Sequence, residues 1–311
     1  MVTLKTVEAY KDYGKCVEIS NGIISALVTV EIGPRIIKFG FVGGQNFMCD
    51  DRAGLGGIDM DKPYTDLFGE GKHWENLGGH RIWSSPESYP ETYTPDDSPV
   101  EYEKTENGAI FTQVPYKEVG IQSQMEIIMA ENSSELEIKM SVQNIADTPR
   151  EYSVWALSVC AQNGTIILPM NTRDTVLLPN RIVSIWPYTD MSNDRIYWGK
   201  KYLTVTQKPT CDGPMKLGLD LNCGKAYYLL NGEVFKKEYK TNHLEGKYPD
   251  GGCSFETYTN ACMLEFETLS ELKVVNPGES NTLNEKWTLS KIDFDVDVKN
   301  DASIDNLIAK L

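Results

Sequence analysis

The chain has 311 residues, 41% of them hydrophobic, and a formal net charge of −15. That apolar content supports a sizeable core and excludes a disordered chain. The negative charge disfavours phosphate backbones and anionic lipid as partners, so neither nucleic acid nor a membrane surface is expected.

Taken in chain order, the dominant pattern is period two. Met1 to Ser20 is mixed and charged, without the apolar core of a signal peptide, which sets the expectation of a cytoplasmic protein. Val17 to Phe41 predicts two or three strands, with turns at Asn21-Gly22 and Gly33-Pro34. Asp50 to Pro99 breaks the pattern. It is rich in glycine, proline and aromatics and predicts a long ordered loop that walls one side of a cleft. Ser134 to Asn144 alternates cleanly, with Leu136, Ile138, Met140 and Val142 on one face. Further strands are predicted at Ala109–Pro115, Gln122–Met129, Tyr152–Ala161, Thr175–Leu178, Arg181–Trp186, Tyr202–Gln207, Lys225–Leu230 and Glu285–Leu289. Only Ser303 to Leu311 carries a helical stripe, with Ser303 as its expected N-cap. Many short strands without intervening helices predict an all-β sandwich or barrel, here one domain over residues 1–311.

The seven cysteines are odd in number, irregularly spaced and form no CxxC pair, so free thiols are expected rather than a zinc site. The three histidines, His73, His80 and His243, are too scattered for a metal cluster. Asp96, Asp97 and Glu101 have the acids a calcium turn uses, but such turns are common without an ion, and no metal is expected. Walker, GxGxxG, GxSxG and HExxH motifs are all missing, so no cofactor is expected.

Several motifs together resemble a known family. They are Ile32-Gly33-Pro34-Arg35-Ile36, Gly78-Gly79-His80-Arg81-Ile82-Trp83 with Pro86-Glu87, and Pro95-Asp96-Asp97-Ser98-Pro99-Val100. Later come Tyr248-Pro249-Asp250-Gly251-Gly252 running on to Asn260, Met263-Leu264-Glu265-Phe266-Glu267-Thr268-Leu269, Pro277-Gly278-Glu279-Ser280 and Glu285-Lys286-Trp287. Their order over nearly the whole chain resembles a branch of the aldose 1-epimerase (galactose mutarotase-like) superfamily that is only loosely similar to true mutarotases. The resemblance implies a supersandwich of two large, twisted antiparallel sheets, with a small-molecule sugar in an open cleft. It implies Arg81 as a sugar-binding arginine and a late-strand glutamate as general base, Glu267 first and Glu265 next. Trp155 stands where the family carries its acid histidine, which leaves His80 as the candidate acid. Trp83, Trp155, Asp250 and Glu256 complete the expected substrate-binding set.

The residues have their own chemistry beside that resemblance. Glu265 and Glu267 lie two apart on a strand and share a face, so each makes it costlier to ionise the other. The plainer reading is a solvated strand face. For His80 and Arg81 it is a loop histidine packed on Trp83 and an arginine tied to an internal acid; for the tryptophans it is core, and for Asp250 a cap of its own turn. Two functions stay open: a sugar epimerase or mutarotase, and a non-catalytic carbohydrate-binding protein. The oligomeric state is not legible in the sequence.

Overall fold

The computed structural model describes residues 1–58, 61–242 and 245–311; His243 and two positions of the 50–99 segment lie outside them. The chain folds into two large antiparallel sheets, one of eleven strands and one of ten. Along the first sheet the order is Thr3–Val7, Cys16–Ser20, Ile24–Thr29, Ile36–Phe41, Gly79–Ser85, Arg150–Cys160, Leu264–Leu269, Phe255–Thr259, Met215–Leu219 and Val183–Ile185. The short strand Lys273–Val275 pairs with the start of Arg150–Cys160. The second sheet is centred on Glu135–Asn144, Ser280–Lys291 and Glu233–Tyr239.

The core lies between the sheets because strand alternation sends every second side chain inward. Leu136, Ile138, Met140 and Val142 are all buried, as the sequence predicts. Phe39 and Phe266 from the first sheet meet Phe235 and Trp287 from the second, with ring centroids 5.0–5.4 Å apart. Such tilted and edge-to-face contacts suit the ring quadrupole. Among them a Lys237–Glu285 ion pair of 3.2 Å is fully enclosed. Burial pushes the Lys237 ammonium below its usual range, and Glu285 opposes the shift.

Three expectations need correction. Thr175–Leu178 is a turn, not a strand: the backbone NH groups of Leu177 and Leu178 both donate to the Thr175 carbonyl, and Val176, Leu177 and Leu178 stand exposed. The C-terminal helix spans Asp301–Ile308 and is capped by Asn300, whose side chain accepts from the NH groups of Ala302 and Ser303. Asparagine is as good a cap as serine, and Ser303 instead accepts from the Asp297 NH. The 50–99 segment is not one long loop. It contains the helix Lys62–Phe68, a small ladder of Gly57–Ile58 with Trp74–Glu75, and the strand Gly79–Ser85 in the interior of the first sheet.

Gly78 and Gly79 at the entry to that strand have φ of +72° and +63°. A Cβ on Gly78 would lie 2.3 Å from the Cys49 carbonyl oxygen, and one on Gly79 would lie 2.6 Å from that of Ile36. Their lack of side chains therefore lets backbone pack on backbone, rather than on a ligand. The Gly33-Arg35 and Asp96 motifs are likewise one structural device. Arg35 pairs with Asp96 at 2.7 Å, the Gly33 NH donates to the Asp96 carbonyl, and Gln113 donates to the Asp96 carboxylate. Asp97 pairs with Lys72. With Asp96 turned inward on Arg35, Asp96, Asp97 and Glu101 do not converge, and no acidic, histidine or cysteine cluster among the described residues could hold a metal ion.

All seven cysteines carry free thiols. Among the described residues no helix is long and apolar enough to cross a membrane.

Candidate functional site

The outer face of the first sheet is apolar at its centre and charged around it. Strand alternation turns Arg81, Trp83, Trp155, Leu157, Glu265, Glu267, Glu256, Tyr258 and Lys216 to this face. Their neighbours Ile82, Ala156, Phe266, Phe255 and Leu217 point into the core. The register brings them together, since Leu157 is paired with Arg81 on one side and Glu267 on the other, and Glu267 with Glu256.

Tryptophans form the floor. Trp83 lies against Trp74 and Trp155 at 5.5 Å each and against Tyr93 at 5.0 Å. Arg81 lies over the Trp83 ring at 4.2 Å and donates to Glu265 at 3.0 Å. Its Nε and other terminal nitrogen have no protein partner, though both are buried. The two plain alternatives for Arg81 and the tryptophans are thus met in part: the arginine does hold an acid, and the rings do pack together.

Beside them sits a second charged group. Lys216 places its ammonium 2.8 Å from Glu256 and 3.5 Å from Glu267, and over the rings of Trp155 and Trp186 at 4.5 and 4.8 Å. Glu267 also accepts from the Trp155 indole NH at 2.8 Å. Glu256 and Glu267 are 1% and 0% exposed, and each keeps one carboxylate oxygen without a protein partner. Burial pushes both carboxyls up, Glu256 to about 8 and Glu267 to about 7, against the pull of Lys216. Burial opposes the Lys216 charge, but Glu267 and Glu256 outweigh it and hold the ammonium above its usual range. One cation facing two desolvated carboxylates cannot compensate both, so the pair takes up a proton more readily than an ordinary carboxylate.

Two hollows open over this face. The first, about 290 Å³, is lined by Arg81, Trp83, Trp155, Leu157, Lys216 and Glu265 among others. The second, about 380 Å³, is lined by Trp155, Trp186, Lys216, Asp250 and Glu256 with Tyr89 at its rim. Glu87 and Tyr93, joined by a hydrogen bond, border both.

The structure therefore gathers Arg81, Trp83, Trp155, Asp250, Glu256 and Glu265 at two adjoining hollows. Glu267 lines neither; it is fully buried on the same face of the sheet, bonded to the Trp155 indole and paired with Lys216, which line both. The fold does not bring His80 there. His80 is fully buried on the opposite face of its strand, with Nδ1 2.8 Å from the Ser158 hydroxyl and its ring against Trp287 at 4.9 Å. Burial, then Lys237 and Arg81, hold it well below its usual range, so it is neutral. It faces the core, across the sheet from both hollows, and the acid role expected for it has no path to a ligand there. Lys216 is the residue the sequence reading missed. Its signal is the Met215-Lys216-Leu217-Gly218-Leu219 alternation, a lysine between inward apolar residues, which reads equally well as a solvated position.

No protein-family model matches the sequence, and no curated protein does. Among solved structures, the chain is similar to a putative aldose 1-epimerase from Klebsiella pneumoniae, at 13% identity and a TM-score of 0.56, covering 99% of this chain and 86% of that one. It is also similar to a galactose mutarotase-like protein from Clostridium acetobutylicum, at 11% identity and a TM-score of 0.53, covering 94% and 99%. A putative mutarotase from Salmonella typhimurium matches at 8% identity and a TM-score of 0.52, covering 93% and 97%. The likeness is one of fold, and the fold is the galactose mutarotase-like supersandwich.

Proposed function

We propose that this chain is a sugar-binding isomerase of the aldose-epimerase kind, acting as one domain with its substrate on the Trp83–Trp155 floor. The observation that carries the reading is the enclosed Glu256–Lys216–Glu267 cluster, whose carboxyls burial raises into the neutral range. Groups that titrate near the working pH suit proton transfer in both directions. In this mechanism Arg81 and Glu265 hold hydroxyls and the tryptophans take the C–H face of the ring. Glu267 takes the proton of the anomeric hydroxyl on its unpartnered oxygen, which a shift of the Trp155 and Lys216 side chains that hold the carboxylate would open to the sugar. The protonated member of the Lys216–Glu256 pair gives one to the ring oxygen as the C1–O5 bond breaks. Rotation about C1–C2 and the reverse transfers close the other anomer, so no net proton is gained or lost. Glu265 is the second choice of base, less suited because Arg81 already engages it.

The test is anomer exchange measured by polarimetry or NMR over a panel of aldoses. Glu267→Gln keeps size and hydrogen bonding but removes basicity, so turnover falls about 10²–10⁴-fold while binding holds within a small factor. Because the base must be ionised, the wild-type rate climbs with pH through about 7. The second reading, a carbohydrate-binding protein without turnover, is favoured by the one fact that His80 faces the core. It stands if wild-type protein binds sugars but speeds no exchange.

A further inference from the structure

We propose that the site takes two linked sugar rings, so that its ligand is a disaccharide or the end of a glycan rather than a free monosaccharide. This rests on the sugar reading above and specifies its substrate class. A sugar ring needs an apolar platform for its C–H face and charged or amide acceptors for its hydroxyls, and each hollow supplies its own set. The first offers Trp83 with Arg81 and Glu265, the second Trp186 with Glu256 and Asp250. In the first, two buried Arg81 nitrogens lack partners; in the second, a Glu256 oxygen does, on a side chain 1% exposed. Unpaired buried polar atoms are costly, and both sets call for a ligand group.

At about 290 and 380 Å³, each hollow is at or near the lower bound of small-molecule pockets, roughly 300–1,000 Å³, as a single ring requires. They are not separate sites. Trp155, Lys216, Glu87 and Tyr93 line both, so a glycosidic linkage would cross over this shared wall. Asp250 reaches the second hollow from the Pro249–Gly252 turn with φ of +52°, a conformation that glycine also adopts freely.

The experiment is isothermal titration of the intact protein with glucose, galactose and mannose, and with maltose, cellobiose, lactose and mannobiose. At least one disaccharide should bind about tenfold or more tightly than its component sugars, because the second ring binds as a tethered group. Asp250→Gly and Trp186→Ala should each reduce that preference about fivefold or more, on the same tethering argument. Using both keeps the test valid should the tryptophan variant misfold. Equal affinity for monosaccharides and disaccharides, or variants that weaken both alike, overturns the two-ring site and leaves the sugar reading intact. No binding by any saccharide overturns both.

Discussion

Replacing Lys216 with methionine removes the cation that pairs with both Glu256 and Glu267, while a side chain of similar length still covers Trp155 and Trp186. Deleting one partner of a buried ion pair costs about 3–5 kcal/mol when the other stays charged. Here the partners can take up protons instead, so the cost depends on pH. In the wild type both carboxyls already titrate above the unfolded range, at about 7 and about 8. Without the ammonium they titrate higher still. The folded variant then binds more protons than the folded wild type as pH rises, and its stability falls faster, by about 1.4 kcal/mol per pH unit for each extra proton. Urea unfolding of both proteins at pH 5, 7 and 9 measures this. The expected loss is about 1–3 kcal/mol at pH 5, where the carboxyls are neutral but lack a partner. It grows to about 3–5 kcal/mol or more at pH 9. Adding Glu256→Gln and Glu267→Gln to Lys216→Met should flatten the dependence. A loss that is the same at pH 5 and pH 9 would refute the argument, for it would mean that the carboxyls do not titrate against Lys216.

Three other outcomes follow from the same physics. His80→Asn should lower stability by about 1–3 kcal/mol through its lost Ser158 bond and packing, yet leave sugar affinity within about threefold, under ~0.7 kcal/mol; a large loss of affinity in the folded variant would return His80 to the site. Arg35→Met should cost about 3–5 kcal/mol in urea unfolding, because Asp96 is left buried without its cation, and adding Asp96→Asn should recover part of it. Thiol titration of the denatured, unreduced protein should count all seven cysteines, and a count of five or fewer would reveal a disulfide.

Periodicity alone made the all-β class and most of the second sheet legible, because its strands present one core face and one wet face. Ile121–Met129 and Glu135–Asn144 follow that alternation closely. The same signal fails for Gly79–Ser85, which is buried on both faces of the first sheet and carries polar residues on each, His80 inward and Arg81 outward. A strand with no wet face has no hydrophobic alternation to read, so it passes for a loop. The shared face of Glu265 and Glu267 was fixed by their spacing, since two residues along a strand always point the same way. Their partners were not. Lys216 lies 51 residues from Glu267 along the chain, and only the pairing of Met215–Leu219 with Phe255–Thr259, and of that strand with Leu264–Leu269, carries it to them. Which face of the sheet meets the second sheet and which meets solvent is likewise a tertiary choice. It turned Arg81 to the hollow and His80 to the core, and it is burial on that face, not the residue type, that raises the two glutamates toward neutrality.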